Sequence, residues 1–165
     1  MVFHDEMVKY WCFLNLYGYA KCHEWHCEEE SKGYRKLNKW FMGRRNRFIP
    51  IEPMERPEVI PQTWYDATRQ DVDKGTKQSG IKSGFEKWVK WEKDTKAVYE
   101  DAYLSLIEMG EPAAADFVMN LVNDVDEELE KAESKHLALE SVGYDLSLIQ
   151  SEQDGLIRKY EGLYF

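Results

Sequence analysis

The feature that most constrains the fold of this 165-residue chain is the clustering of its prolines. Four of the five prolines lie within twelve residues, and three glycines follow at Gly75, Gly80 and Gly84. A proline inside a helix removes a backbone hydrogen bond and clashes with the preceding turn, so residues 46–83 are predicted to form one long connection. The clustered residues are Pro50, Pro53, Pro57 and Pro61.

The segment before this connection contains no proline from residue 2 to residue 43. We predict a short first helix over about 3–17, a break at Gly18 and a second helix over about 19–43. A single long helix over the whole segment is the alternative. One face of the second helix, at spacings of three and four, carries Tyr19, His23, His26, Glu30, Gly33, Leu37 and Trp40.

The segment after the connection shows three helix-forming stretches separated by glycines. Ser83-Gly84-Phe85-Glu86 has the pattern of a capping box and predicts the start of the third helix. Gly110 and Gly143 are predicted to end the third and fourth helices. A short fifth helix is then predicted from Tyr144 to about residue 163.

Together these patterns predict an all-α chain that forms a single domain over residues 1–165. Short joints make neighbouring helices antiparallel, whereas a long crossover lets two neighbours run parallel. Ferritin-like four-helix bundles contain one such crossover. The predicted fold is therefore a helical bundle with one long crossover and a short C-terminal helix.

The net charge of −9 is unevenly distributed along the chain. Residues 111–165 contain 13 acidic and 4 basic residues, whereas residues 1–110 contain 18 of each. Nucleic acids and anionic membranes both attract basic surfaces, so we expect no direct binding to either. The three cysteines and the first residues, which lack a leader pattern, predict reduced thiols and a cytoplasmic protein.

Two carboxylates interrupt the predicted inner faces, Glu30 on the second helix and Glu92 on the third. A buried carboxylate must be paired, protonated or bound to a cation. His26 lies one turn before Glu30, and Asp126 lies near the inner face of the fourth helix. Carboxylates and imidazoles from facing helices predict a dinuclear iron or manganese site, although core histidines or an error in the assigned register would also explain the pattern.

Several segments resemble ferritins over about 110 of the 165 residues. The second helix is similar in its aromatic-Ala-Lys opening, its glutamate pair and its Gly/Arg end before the crossover. Trp91-Glu92-Lys93 resembles the Glu-Lys step of the ferritin third helix. The second-helix motifs are Tyr19-Ala20-Lys21, Glu28-Glu29-Glu30 and Gly43-Arg44-Arg45-Asn46-Arg47-Phe48-Ile49-Pro50.

This resemblance implies a ferritin-like bundle, assembled as a homo-oligomer, that oxidises Fe(II) with O2 at a diiron centre. It places Glu30 as the bridging carboxylate, Glu92 on the third helix and Asp126 on the fourth. Glu6 is the implied first-helix carboxylate, and His26 would replace the family's second-helix histidine only if the metal were shifted along the bundle. The family's second-helix motif is Glu-x-x-His, and here Gly33 stands where the histidine would be.

The missing histidine favours a second hypothesis, in which a helical protein without metal binds, and inhibits, a partner protein. The acidic C-terminal third would then face a basic surface of that partner. A diiron oxygenase acting on an organic substrate is a third hypothesis.

Overall fold

The computed structural model describes residues 2–45, 57–68 and 72–162. The described residues are helical, with no strand among them, which confirms the all-α class. None of their helices is long and apolar enough to cross a membrane. The elements are α1 (Val2–Phe13), α2 (Tyr17–Arg45), a 3-10 turn (Gln62–Trp64), α3 (Lys74–Glu108), α4 (Pro112–Ser141) and α5 (Leu146–Glu161).

The chain divides into two compact units, which we describe separately. Unit 1 contains residues 1–74 and 146–165, and therefore helices α1, α2 and α5. Unit 2 contains residues 75–145, and therefore almost all of α3 and the whole of α4. The ferritin-like arrangement of the helices stays a prediction.

The break between α1 and α2 lies at residues 14–16, so its predicted position at Gly18 is wrong. Asn15 adopts a positive φ of 57°, a conformation that asparagine tolerates better than most residues. The Leu16 amide donates to the Trp11 carbonyl and the Asn15 amide donates to the Cys12 carbonyl. These two bonds form a Schellman motif, which asparagine closes here in place of the more common glycine.

Gly18 instead lies in the first turn of α2, where that helix meets α5 in unit 1. Its amide donates to Gln153 Oε1 at 2.8 Å, which satisfies one of the backbone donors left over at a helix start. A Cβ at this position would lie 2.8 Å from the Gln153 carbonyl oxygen and from Leu156 Cβ. The glycine therefore permits a close approach of two helices.

The core of unit 1 is rich in aromatic residues. Trp11 packs edge-on against Tyr10 and also contacts Tyr19 of α2. Trp64 of the 3-10 turn lies against the rings of Tyr10 and Phe13, at centroid distances of 4.8 and 4.6 Å. This aromatic packing fixes part of the connection between α2 and α3 onto α1.

Helix α3 begins at Lys74, so the predicted start at Ser83 is wrong and the capping-box pattern lies inside the helix. Gly80, Ile81, Gly84 and Phe85 are buried at the helical spacing of three and four. Tertiary packing of this face outweighs the helix-propensity cost of glycine, about 1 kcal/mol each. Residues 46–56 and 69–71 of the predicted connection lie outside the described residues.

The ends of α3 and α4 follow the glycine pattern, and both predictions are confirmed. Gly110 and Gly143 have positive φ values of 71° and 59°. The Glu111 amide donates to the Leu106 carbonyl and the Tyr144 amide to the Leu139 carbonyl, the long-range bond of a Schellman motif in each case. The tight turn at Gly110 makes α3 and α4 a helical hairpin.

Candidate functional site

Three histidines are buried where α1 packs on α2 in unit 1. His4 lies on the inner face of α1, one turn before the buried Met7. His23 and His26 are three residues apart on α2, so their side chains project from the same face. The exposed fraction of each of the three histidines is 2% or less. We call these three residues the histidine cluster.

The rings of the histidine cluster are in direct contact. His4 Nδ1 and His23 Nδ1 lie 2.7 Å apart, so one of them donates a hydrogen bond to the other. The His4 and His26 rings stack with their centroids 5.0 Å apart. One ring nitrogen of His4 and one of His26 lie within 4.8 Å of each other. The cluster thus directs imidazole nitrogens from two helices toward one another.

Glu30 adds a carboxylate beside the cluster. It follows His26 by one helical turn, and its Oε1 lies 3.8 Å from His4 Nε2. Its side chain is 31% exposed, whereas that of His4 is 1% exposed. Glu30 therefore places a partly exposed carboxylate beside the buried imidazoles.

Burial controls the protonation of the cluster. Desolvation lowers the pKa of His4 well below its usual value, and the nearby His23 and His26 lower it further. Desolvation also lowers the pKa of His23, with a second contribution from His26. Both imidazoles are therefore neutral at pH 7, which is the form that binds metal ions.

Aromatic side chains surround the three imidazoles. The Trp11 ring stacks on His23 at a centroid distance of 6.3 Å, and the Trp25 ring lies edge-on to His26 at 5.0 Å. Phe3 packs edge-on against His4 at 5.3 Å. Such an apolar surround lowers the local dielectric, which strengthens any charge interaction inside it.

Of the predicted ligands, Glu6, His26 and Glu30 belong to unit 1. Glu6 is buried, but Lys9 Nζ donates to its Oε1 at 2.8 Å. Glu6 therefore already has a cation partner, which it shares with Asp5. His26 and Glu30 are the two predicted ligands that lie at the histidine cluster.

The other two predicted ligands, Glu92 and Asp126, belong to unit 2. Glu92 is buried, and its Oε1 accepts a hydrogen bond of 2.9 Å from Trp88 Nε1. Asp126 is exposed and forms an ion pair across the hairpin with Lys96. Asp126 thus lies on the surface of α4 in a contact that joins it to α3.

The Glu-x-x-His pattern of α4 has separate partners in unit 2. Glu133 pairs with Lys93 at 2.6 Å, and His136 Nδ1 lies 3.3 Å from the Tyr144 hydroxyl. The His136 ring also stacks on Phe85. These contacts support the packing of α4 on α3.

Sequence reasoning missed His4 and did not select His23. The signal for His4 was present, because Phe3, His4, Met7 and Trp11 recur at helical spacing and so share one face. His23 precedes His26 by three residues on the predicted inner face of α2. The periodicity of a single helix does not show which helix packs against it, so the contact of α1 with α2 could not be predicted.

The three cysteines, Cys12, Cys22 and Cys27, form no disulfide within the part of the chain that the structure describes. Burial raises the pKa of Cys27, which keeps this thiol protonated at pH 7. Cys27 therefore does not compete with the imidazoles as an activated thiolate.

Comparison of this chain with protein-family models, with curated proteins and with solved structures finds no match. The resemblance to ferritins accordingly stays a prediction, and the function must be inferred from the residues of the histidine cluster.

Proposed function

We propose that this chain binds one first-row transition metal ion through His4, His26 and Glu30, with His23 holding the His4 ring in position. The observation that carries the proposal is the convergence of three buried imidazoles from two helices, of which His4 and His23 are neutral at pH 7, beside a half-buried carboxylate. Imidazole nitrogen is a preferred ligand of zinc, iron, nickel and copper ions. The proposed function is therefore metal binding within unit 1.

The contacts of His4 support this proposal. Two ligand atoms that bind one tetrahedral ion at about 2.1 Å lie about 3.4 Å apart. His4 Nε2 and Glu30 Oε1 are close to this separation, at 3.8 Å. The other His4 nitrogen, Nδ1, is hydrogen-bonded to His23 Nδ1, which fixes the orientation of the His4 ring.

The donor set of unit 1 fits a mononuclear site better than the predicted diiron centre. Dinuclear carboxylate sites use four glutamates and two histidines from the helices of a bundle. Unit 1 offers the reverse ratio, two imidazole ligands with the Glu30 carboxylate, because Glu6 is already paired with Lys9. Manganese, which prefers oxygen ligands, is correspondingly disfavoured. Ferroxidase activity, implied by the ferritin resemblance, is the activity to assay when the ion supplied is Fe(II).

A titration with Co(II) tests the proposal directly, since its visible absorption reports nitrogen coordination. We expect one equivalent to bind to the chelator-treated protein and to be displaced by Zn(II). His23→Gln and Glu30→Ala should each weaken binding by about tenfold or more. His136→Gln in unit 2 is the matched control and should bind Co(II) as the parent does.

The proposal fails if Co(II), Zn(II) and Fe(II) all bind to the parent no more tightly than to the His23→Gln variant. Far-ultraviolet circular dichroism of each variant shows whether a loss of binding reflects unfolding. Binding of two equivalents of iron, lost in Glu92→Ala, would instead support the diiron centre.

A further inference from the structure

The turn region of the α3–α4 hairpin, in unit 2, has an extreme charge composition. Residues 97–130 contain ten acidic residues and not one lysine, arginine or histidine. The nearest cation along α3 is Lys96, and Asp126 and Glu100 both lie beside it. This part of the hairpin therefore carries negative charge that its own sequence does not balance.

The same region exposes large apolar side chains on α3 and at the turn that follows it. Leu104 and Ile107 are 57% and 48% exposed, and Met109 at the turn is 73% exposed. Glu100, Asp101 and Glu108 are exposed and lie three or four residues from Leu104, so they share its face. We call these six residues the acidic tip.

Exposed apolar side chains clustered among charges indicate an interaction surface. A second copy of the chain would bring two acidic tips together, and like charges in contact disfavour that pairing. An anionic membrane would be repelled for the same reason. A basic surface that also carries apolar side chains would be attracted by the negative charge of the tip and would cover its exposed apolar side chains.

We propose that the acidic tip docks a basic amphipathic helix of a partner protein. Apolar side chains of that helix would cover Leu104, Ile107 and Met109. Its lysines or arginines would pair with Glu100, Asp101 and Glu108 on either side, which fixes its orientation. The inference concerns unit 2 alone and goes beyond the metal site, which contains none of these residues.

The test uses a synthetic helical peptide of about 18 residues with leucines on one face and lysines on its flanks. Fluorescence anisotropy of the labelled peptide should show saturable binding to the full chain, weaker at about 200 mM than at about 50 mM salt. The variant L104S/I107S and the variant E100Q/D101N/E108Q should each weaken binding by about tenfold or more. Leu137→Ser, which changes an equally exposed leucine of α4, is the control.

Several results would overturn the proposal. One is equal affinity of the parent and the L104S/I107S variant, which would assign any binding to nonspecific charge attraction. A concentration-dependent dimer that L104S/I107S abolishes would identify a second copy as the occupant. Binding to phosphatidylglycerol vesicles that the same variant abolishes would identify a membrane. Chelator treatment should leave peptide binding unchanged, which separates this test from that of the metal site.

Discussion

The two units differ in whether their ionisable side chains are buried or exposed. Unit 1 buries imidazoles in a core of aromatic rings, where they contact one another. Unit 2 buries the Glu92 carboxylate beside Trp88 but places most of its charges on the surface of a hairpin. Because burial suppresses charge on an imidazole, unit 1 can hold neutral metal ligands. Unit 2, with its acidic residues in water, remains charged and suits an electrostatic partner.

The two units also differ in how closely their helices pack. In unit 1, α2 approaches α5 so closely that residue 18 has no room for a Cβ. In unit 2, no side chain of α3 beyond Glu92 is fully buried. We therefore expect substitutions at the helix contacts of unit 1 to cost more stability than those along the distal hairpin.

The largest expected effect is that of Gly18→Ala. Its Cβ would meet the Gln153 carbonyl oxygen and Leu156 Cβ, both of which are fixed by their helix, so α5 must shift. We expect the free energy of unfolding to fall by about 3 kcal/mol in urea denaturation. Gly33→Ala is the matched control, since a Cβ there meets nothing within 4 Å.

Gly33→Ala should leave stability unchanged or raise it by up to about 1 kcal/mol, because alanine favours a helix. If the two glycine variants had the same stability, the close α2–α5 contact would be wrong.

The second-largest effect is expected in the pH dependence of the stability of the metal-free protein. The folded pKa of His4 and of His23 lies below the unfolded value of about 6.5, so the unfolded chain binds more protons below that pH. Stability should be constant above pH 6.5 and fall by about 1.4 kcal/mol per pH unit for each imidazole below it. Urea denaturation of chelator-treated protein between pH 7.5 and about pH 5.5 measures this slope.

His23→Gln should make the slope shallower, because one titrating group is removed. An equal slope in the parent and in His23→Gln would show that the buried cluster does not control acid sensitivity.

The sequence predicted those features of the fold that local chemistry determines. Gly110 and Gly143 mark helix ends because a positive φ favours glycine at each of them. Gly18 permits a close contact between two helices and does not end one. From the sequence alone, a glycine of this kind cannot be distinguished from a glycine that ends a helix. Asn15, which does end α1, carried only a weak signal.

Only part of the candidate site could be predicted from the sequence, for a similar reason. His26 and Glu30 follow from the periodicity of α2 alone, whereas His4 joins them only through the packing of α1 on α2. Glu92 was correctly placed on an inner face, where it accepts a hydrogen bond from the indole of Trp88 within unit 2. Periodicity identifies a buried face but not the group that faces it.

A smaller effect is expected from Trp88→Phe in unit 2. Phenylalanine keeps most of the apolar volume but removes the indole donor to the buried Glu92 carboxylate. We expect a loss of about 1–2 kcal/mol in urea denaturation. Glu92→Gln keeps an acceptor oxygen for the indole and should cost less. The opposite order would mean that the carboxylate charge itself, rather than the hydrogen bond, is what the fold of unit 2 requires.

The smallest effect is expected from Asp126→Asn, and it discriminates between the two metal hypotheses. Asp126 is exposed, and its ion pair with Lys96 lies in water, where such pairs contribute little. We expect no measurable change in the urea midpoint or in Co(II) affinity. A diiron centre that used Asp126 would instead lose metal in this variant, as it would in Glu92→Ala. Unchanged metal binding in Asp126→Asn, together with its loss in His23→Gln, would therefore assign the metal site to unit 1 and leave the acidic surface of unit 2 for a partner.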